Sequence, residues 1–197
     1  MASLSGEVLK NLYLVKGKSA KEIADAYGCS PNKINYWLKK YDIQKRTISE
    51  SQYLRKNPNG DPFQYIEPKT IEDSFLFGLG MGLYWGEGNK RNSNTVRLGN
   101  TDPRLIKAFI QFLKHIYGVK ESKFRFGLQI FSDMQPDKAL RFWCKELGVS
   151  SNKFGKVIVT PARSIGTYRE KSKYGVLTIY VSNKRLRDLL CSKIENL

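Results

Sequence analysis

The spacing of apolar positions changes along the chain, and each spacing predicts a different kind of element. Over residues 4–46 it is helical three times. Val8, Leu9, Leu12 and Val15 predict one apolar face, which Gly17 ends. Ile23, Ala24 and Tyr27 face inward from a second helix ended by Gly28, and Ile34, Trp37 and Leu38 form the buried stripe of a third. From Gln44 the periodicity fades, and Pro58-Asn-Gly-Asp-Pro62 breaks regular structure, so residues 47–71 are expected to be a linker. A continuous apolar run follows from Phe75 to Gly86. Beyond it, alternation with period two predicts strands. Phe124, Phe126, Leu128 and Ile130 point inward from Lys123–Phe131, as do Leu177, Ile179 and Val181 from Tyr174–Ser182, Val96 with Leu98, and Val157 with Val159. Amphipathic helices such as LIKAFIQFLKHIYG separate these strands, so the chain is expected to be α+β.

The ends of the three N-terminal helices are well marked. Ser19 and Glu22 form a capping box, Ser30 can cap the third helix, and Pro31 stands at its first position. With Ala24 where two helices would approach, Gly28 at the turn and Ile34 as anchor, residues 1–46 resemble a helix-turn-helix module. In such folds the second helix of the pair enters the major groove, which makes Asn32, Lys33, Asn35, Tyr36 and Lys39 candidates for base and phosphate contacts. Lys45, Arg46, Arg55 and Lys56 could follow phosphates beyond it.

Charge narrows the class of partner. The 197 residues carry 34 Lys and Arg against 18 Asp and Glu, a net charge of +16, with +5 over residues 1–70 and +11 over residues 71–197. Both parts therefore suit a polyanion, of which double-stranded DNA is the expected one. A membrane is not expected: the Phe75–Gly86 run is about half the roughly 20 residues of a spanning helix, and MASLSGEVLK lacks a signal-peptide layout. The protein is expected to be cytoplasmic or otherwise intracellular, and not secreted. Cys29, Cys144 and Cys191 lack the spacing of a zinc ribbon or disulfide framework, and the single histidine, His115, excludes nucleases built on several histidines.

The Phe75–Gly86 run has unusual chemistry. Gly78, Gly82 and Gly86 recur on one helical face, with Gly80 elsewhere. Four glycines cost a helix roughly 3–4 kcal/mol by propensity, which close contact with a second helix would offset. A dinucleotide loop, spelled by Gly80, Gly82 and Gly86, would need to follow a strand and open a helix, and this run does neither. Glu87 ends the run, where a carboxylate opposes the helix dipole unless a cation compensates it. Two such helices packed by their glycines would bring their acids together, a geometry suited to Mg²⁺ or Mn²⁺.

Residues 80–88, GMGLYWGEG, resemble the nine-residue motif of LAGLIDADG homing endonucleases, with Gly82-Leu83 and Glu87-Gly88 on its Gly-Leu and its final acid-glycine pair. Gly80 stands for the leading aliphatic residue, Trp85 for an acidic or small one, and Glu87 for the commoner Asp. VRLGNTDPRLIKAFIQFL and LTIYVSNKRLRDLLCSKI share a strand, an Asn-containing turn and an amphipathic helix, which suggests a repeat over roughly 80 positions and extends the resemblance over residues 72–197. The resemblance implies a mixed domain with antiparallel DNA-binding sheets, a homodimer joined through Gly78, Gly82 and Gly86, and double-strand cleavage. Glu87 and the Gly86 carbonyl would hold the metal. A basic residue, Lys90 or Lys173, would assist the attacking water.

The strand faces give a separate reason to expect DNA. The outward positions include Arg97, Lys123, Arg125, Gln129, Lys156, Thr178 and Tyr180, and none is acidic. The stretch 153–187 adds Arg163, Arg169 and Lys171, with Glu170 its one acid. Three other readings are open. One is a transcription regulator that binds without cutting; another is a maturase acting on structured RNA. The third is a nuclease centred on Asp102 with Glu121-Ser122-Lys123.

Overall fold

The structure, a computed structural model, describes residues 4–162 and 172–196. They form two compact units, Met1–Pro62 and Phe63–Leu197.

In the first unit, α1 (Gly6–Lys10) runs on into a π-helical turn, Asn11–Val15, closed by Lys16 N on the Asn11 carbonyl at 2.9 Å. Leu9 is buried as expected, but the wide turn carries Tyr13 inward beside it and Leu4 and leaves Val8 and Val15 outside, Val15 76% exposed, where the expected α-helical stripe had both facing the core. The capping box of α2 (Ala20–Ala26) is made in both directions: Glu22 N donates to Ser19 Oγ at 3.1 Å and Ser19 N to Glu22 Oε2 at 2.8 Å. Ile23 and Ala24 are buried. Tyr27, expected inward, is exposed because the helix ends there and Gly28, at φ +60°, turns the chain. In α3 (Pro31–Lys40) Lys33 N donates to Ser30 Oγ at 3.3 Å, Ile34 and Leu38 are buried, and Trp37 is half-buried.

The expected linker contains α4 (Ile48–Lys56), which buries none of its residues. Hydrophobic periodicity could not find it, but a second capping box could: Glu50 N donates to Thr47 Oγ1 at 3.2 Å and Thr47 N to Glu50 Oε2 at 2.7 Å.

The second unit is a sheet with helices packed on one face. Its elements are α5 (Ile71–Glu87), β1 (Val96–Asn100), α6 (Pro103–His115), β2 (Phe124–Phe131), α7 (Pro136–Leu147), β3 (Ile158–Thr160), β4 (Val176–Val181) and α8 (Lys184–Glu195). The strand order is β1-β4-β2-β3. Strand β4 is antiparallel to both neighbours, whereas β2 and β3 are parallel. This is one mixed sheet rather than the expected antiparallel sheets, because the crossover through α7 returns the chain in its original direction. Val96, Leu98, Phe124, Phe126, Leu128, Ile130, Leu177, Ile179 and Val181 are all buried against Phe109, Phe112, Trp143, Leu186 and Leu190. Val159, expected inward, is 50% exposed, since β3 is a three-residue strand at the sheet's edge.

The strand-turn-helix likeness has a structural counterpart in β1-α6 and β4-α8. Leu98 pairs with Ile179, 81 positions later, and the register steps away evenly from Val96↔Val181 to Asn100↔Leu177. A local two-fold relation therefore centres on that pair. Both helices are capped by a side chain: Asp102 accepts from Arg104 N at 2.8 Å and Asn183 from Leu186 N at 2.9 Å. A second likeness escaped the sequence reading. Gly118-Val119 and Gly148-Val149 each follow a helix, with glycine φ of +58° and +64°, and each leads through a single 3₁₀ turn into Lys-Phe, at Lys123-Phe124 and Lys153-Phe154.

Candidate nucleic-acid interface and acidic helix end

The start of α5 is set by Thr70, which accepts from Asp73 N at 3.0 Å, while Glu72 and Asp73 complement the positive end of the helix. Its glycines divide into two kinds. Gly80 faces inward, where an added Cβ would lie 2.0 Å from Phe112 Cγ, and only hydrogen fits. One turn on, Tyr84 is buried and stacks on Phe109 with centroids 5.9 Å apart. A Cβ at Gly78, Gly82 or Gly86 would meet nothing within 4 Å. Along the same exposed side run Phe75 and Trp85, 71% and 59% exposed, with Leu79 between them. Alpha5 thus presents an uncovered apolar face notched by three glycines.

The far end of α5 is held closely. Gly88 N donates to the Tyr84 carbonyl at 2.9 Å, and a Cβ on Gly88 would lie 2.3 Å from that oxygen, so space requires glycine. Gly88 also bridges to Leu98, and Asn89 N donates to the Arg97 carbonyl at 2.9 Å, which ties the helix end to the edge of β1. Glu87 projects there, exposed, and among the described residues its carboxylate has no hydrogen-bond or ion-pair partner. Lys90 is differently placed from a free base: its ammonium donates to the carbonyls of Trp85 at 2.5 Å and Tyr84 at 3.4 Å. A cation therefore already sits on the negative end of the helix. Beneath it, burial first and the Cys191 thiol second push the Tyr84 phenol far above its usual range.

The other catalytic candidate is remote. Lys173 lies in the Ser172–Gly175 turn before β4, beside Tyr174, whose carbonyl accepts from Trp143 Nε1 at 2.9 Å. Glu87 adjoins the Leu98–Ile179 row, whereas Lys173 lies in the turn before Val176, where β4 begins three residues, roughly 10 Å of strand, from that row. The structure does not bring the two together. It also separates Asp102 from Glu121, which lie beyond opposite ends of α6. Asp102 pairs with Arg104 at 2.8 Å and Glu121 with Lys114 at 2.5 Å, and these partners hold both carboxyls below their ordinary range. Among the described residues no three His, Cys, Asp or Glu cluster as metal ligands.

The uncovered face of the sheet gathers most of the expected strand contacts. Register places Arg97, Tyr180 and Arg125 side by side in one row, and Gly99, Thr178 and Gly127 in the next. The second row explains the lie of the first: a Cβ on Gly127 would come within 2.9 Å of the Tyr180 ring, so the glycine lets that ring lie across β2. The Arg97 guanidinium stands 5.1 Å from the ring centroid. Arg125 is exposed and anchored by Nη1 on the carbonyls of Ser122 at 2.9 Å and Phe124 at 2.8 Å. Gln129 Nε2 donates to Thr160 Oγ1 at 3.0 Å. Lys123 falls in the 3₁₀ turn before β2 rather than in the strand, and Lys156 in the loop before β3; both are exposed. Arg163, Arg169 and Lys171 lie outside the described residues.

On α3, Asn32, Tyr36 and Lys39 are exposed with the helical spacing of one face; Asn35 and Lys33 are half-buried, and the Lys33 ammonium lies 5.2 Å from the Trp37 ring. Arg46 holds the unit together. It donates to the Gly17 carbonyl at 2.7 Å and the Lys18 carbonyl at 2.5 Å and stacks 4.2 Å from the Tyr13 ring, which leaves little of it for a phosphate.

Among the described residues no helix is long and apolar enough to cross a membrane. Comparison with protein-family models, with curated proteins and with solved structures finds no match for this chain.

Proposed function

We propose that the protein is a site-specific endonuclease that binds double-stranded DNA as a homodimer and hydrolyses phosphodiester bonds with Mg²⁺ or Mn²⁺. One observation carries the reading: α5 leaves a glycine-notched apolar face uncovered and ends it with a carboxylate that no described side chain engages. A second copy of the same helix is the occupant that such a face fits, since small residues at this spacing let two helices approach closely and a two-fold contact uses the same patch twice. That contact brings two Glu87 carboxylates together.

The donor set suits a hard divalent ion. Glu87 is exposed with no described ion-pair partner, Mg²⁺ keeps several waters and needs few protein oxygens, and the Gly86 carbonyl is the adjacent candidate. Bound there, the ion would supply Lewis-acid stabilisation of the scissile phosphate and a more acidic water. The chain's own part is to position DNA: Arg97, Arg125, Gln129, Thr178 and Tyr180 form a basic and polar sheet face, and Asn32, Tyr36 and Lys39 a second surface on the helix-turn-helix unit. Lys90 is better assigned to capping α5 than to proton transfer.

A second reading, a regulator that binds without cutting, is favoured by that same cap, because Lys90 supplies the compensating cation that a bound metal was invoked to provide. Supercoiled DNA carrying a site selected from a random pool separates the two. With Mg²⁺ the endonuclease cuts both strands, and Glu87→Gln abolishes cutting while retaining affinity. Tight binding by the wild type with no nicking in Mg²⁺ or Mn²⁺ would leave the regulator.

A further inference from the structure

Arg187 on α8 has a place in this geometry that packing alone does not explain. Its side chain is only 18% exposed, its Nε is buried without a partner among the described residues, and Nη1 pairs with Asp188 at 3.1 Å. Nη2 reaches back 97 positions to the carbonyl of Lys90. Lys90 in turn binds the Tyr84 and Trp85 carbonyls, while Gly88 and Asn89 are tied to Leu98 and Arg97. Residues 84, 85, 88, 89 and 90 are thus all fastened through their backbone or, for Lys90, its ammonium, and Glu87, exposed between them, is the acidic side chain of the stretch.

A guanidinium with an unpaired buried nitrogen costs stability, and an apolar side chain would fill the same space at less cost. What the guanidinium adds is a directed bond to one carbonyl and a second positive charge behind the helix end. Neither cation pairs with Glu87. Both are engaged by other groups and leave the Glu87 oxygens free.

We infer that Arg187 is a positioning residue for Glu87: it holds the Lys90 carbonyl, and through it the α5 cap, so that the acid projects at a fixed angle from the helix end. This rests on the endonuclease reading. The test compares wild type with Arg187→Met and Arg187→Lys as full-length proteins in three measurements: cleavage of the selected site in Mg²⁺, thermal unfolding, and hydrogen exchange of peptides covering residues 84–91. Arg187→Met should lower kcat at least tenfold with KM for DNA changed less than threefold, and should speed exchange in that segment. Arg187→Lys should recover part of kcat. If Arg187→Met does not fold, Arg187→Lys carries the test, with reduced kcat at a wild-type Tm expected. Unchanged kcat, or unchanged exchange, overturns the inference. A wild type that binds and never cuts defeats the endonuclease reading and this inference with it, whereas an active wild type with an equally active Arg187 variant defeats this inference alone.

Discussion

Alanine at Gly82 and alanine at Gly80 should act in opposite directions, although the two glycines are two residues apart on one helix. Inside a helix Gly→Ala gains about 0.8–1.0 kcal/mol in propensity. At Gly82 nothing within 4 Å opposes that gain in a single chain, so Gly82→Ala should stabilise the second unit and raise its Tm by roughly 2–6 °C. At Gly80 the new methyl would lie 2.0, 2.3 and 2.5 Å from atoms of the Phe112 ring, which is buried and cannot withdraw. Overpacking of this kind costs roughly 1–3 kcal/mol, which outweighs the propensity gain and gives a net loss. The same methyl at Gly82 appears twice in a symmetric dimer, at the line of closest approach. Gly82→Ala should therefore weaken self-association at least tenfold, or about 1.4 kcal/mol. Sedimentation across a concentration series, combined with unfolding measured below the dissociation constant, reads both effects. A Gly82→Ala protein that associates as tightly as wild type, or a monomer destabilised by the change, would refute the assignment of the glycine face to a second copy.

The remaining predictions concern the two DNA surfaces and the first unit's caps. Gly127→Val should displace the Tyr180 ring and lower DNA affinity at least fivefold in a fluorescence-anisotropy titration, while Lys39→Ala should reduce the slope of log affinity against log salt by about 1. Ser19→Ala should cost about 1 kcal/mol in urea unfolding by removing one half of the capping box. Glu22 shows the pH dependence: the Ser19 hydroxyl, then the Ser19 backbone N–H, hold its carboxyl below the ordinary value of 4.5, so the folded chain binds that proton less readily than the unfolded one. Its contribution is full above that value and lost as pH falls through the lowered one. The stability difference between wild type and Glu22→Gln should accordingly shrink on acidification, and a difference that grows would contradict the assignment.

Much of the second unit was legible because its strands alternate strictly. One face is buried, so the inward positions of β2 and β4 follow from residue type alone. The lie of Tyr180 was not legible, since it depends on a glycine in a neighbouring strand and therefore on register. The parallel pairing of β2 with β3 was hidden for a similar reason: short edge strands carry weak alternation, and the direction of a crossover is not written in either strand. In the first unit the caps and buried Leu9 were readable residue by residue, but a π-helical turn put Tyr13 into the core and left Val8 and Val15 outside it. Around Glu87 the acid, its flanking glycines and Lys90 stood out, whereas the capping role of Lys90 and the place of Arg187 did not. Their roles are made by a turn and by a bond spanning 97 positions, and neither leaves a local signature.

That cap changes what Glu87 should contribute to stability. A carboxylate in the last turn of a helix meets the negative end of the dipole, a penalty of about 0.3–1 kcal/mol at an exposed position. Lys90 bonds the carbonyls of that turn directly, so the helix end is satisfied whether residue 87 is charged or neutral. Glu87 has no described partner to lose. Glu87→Gln should then leave the unfolding free energy unchanged or raise it by up to about 1 kcal/mol. Chemical denaturation of the metal-free protein measures this without reference to cleavage. If the substitution destabilises the chain by more than about 1 kcal/mol, the carboxylate belongs to the fold, and loss of cutting in Glu87→Gln could no longer be read as loss of a metal ligand. If stability holds while cutting is lost, the acid is present for the reaction, because nothing in the folded chain depends on its charge.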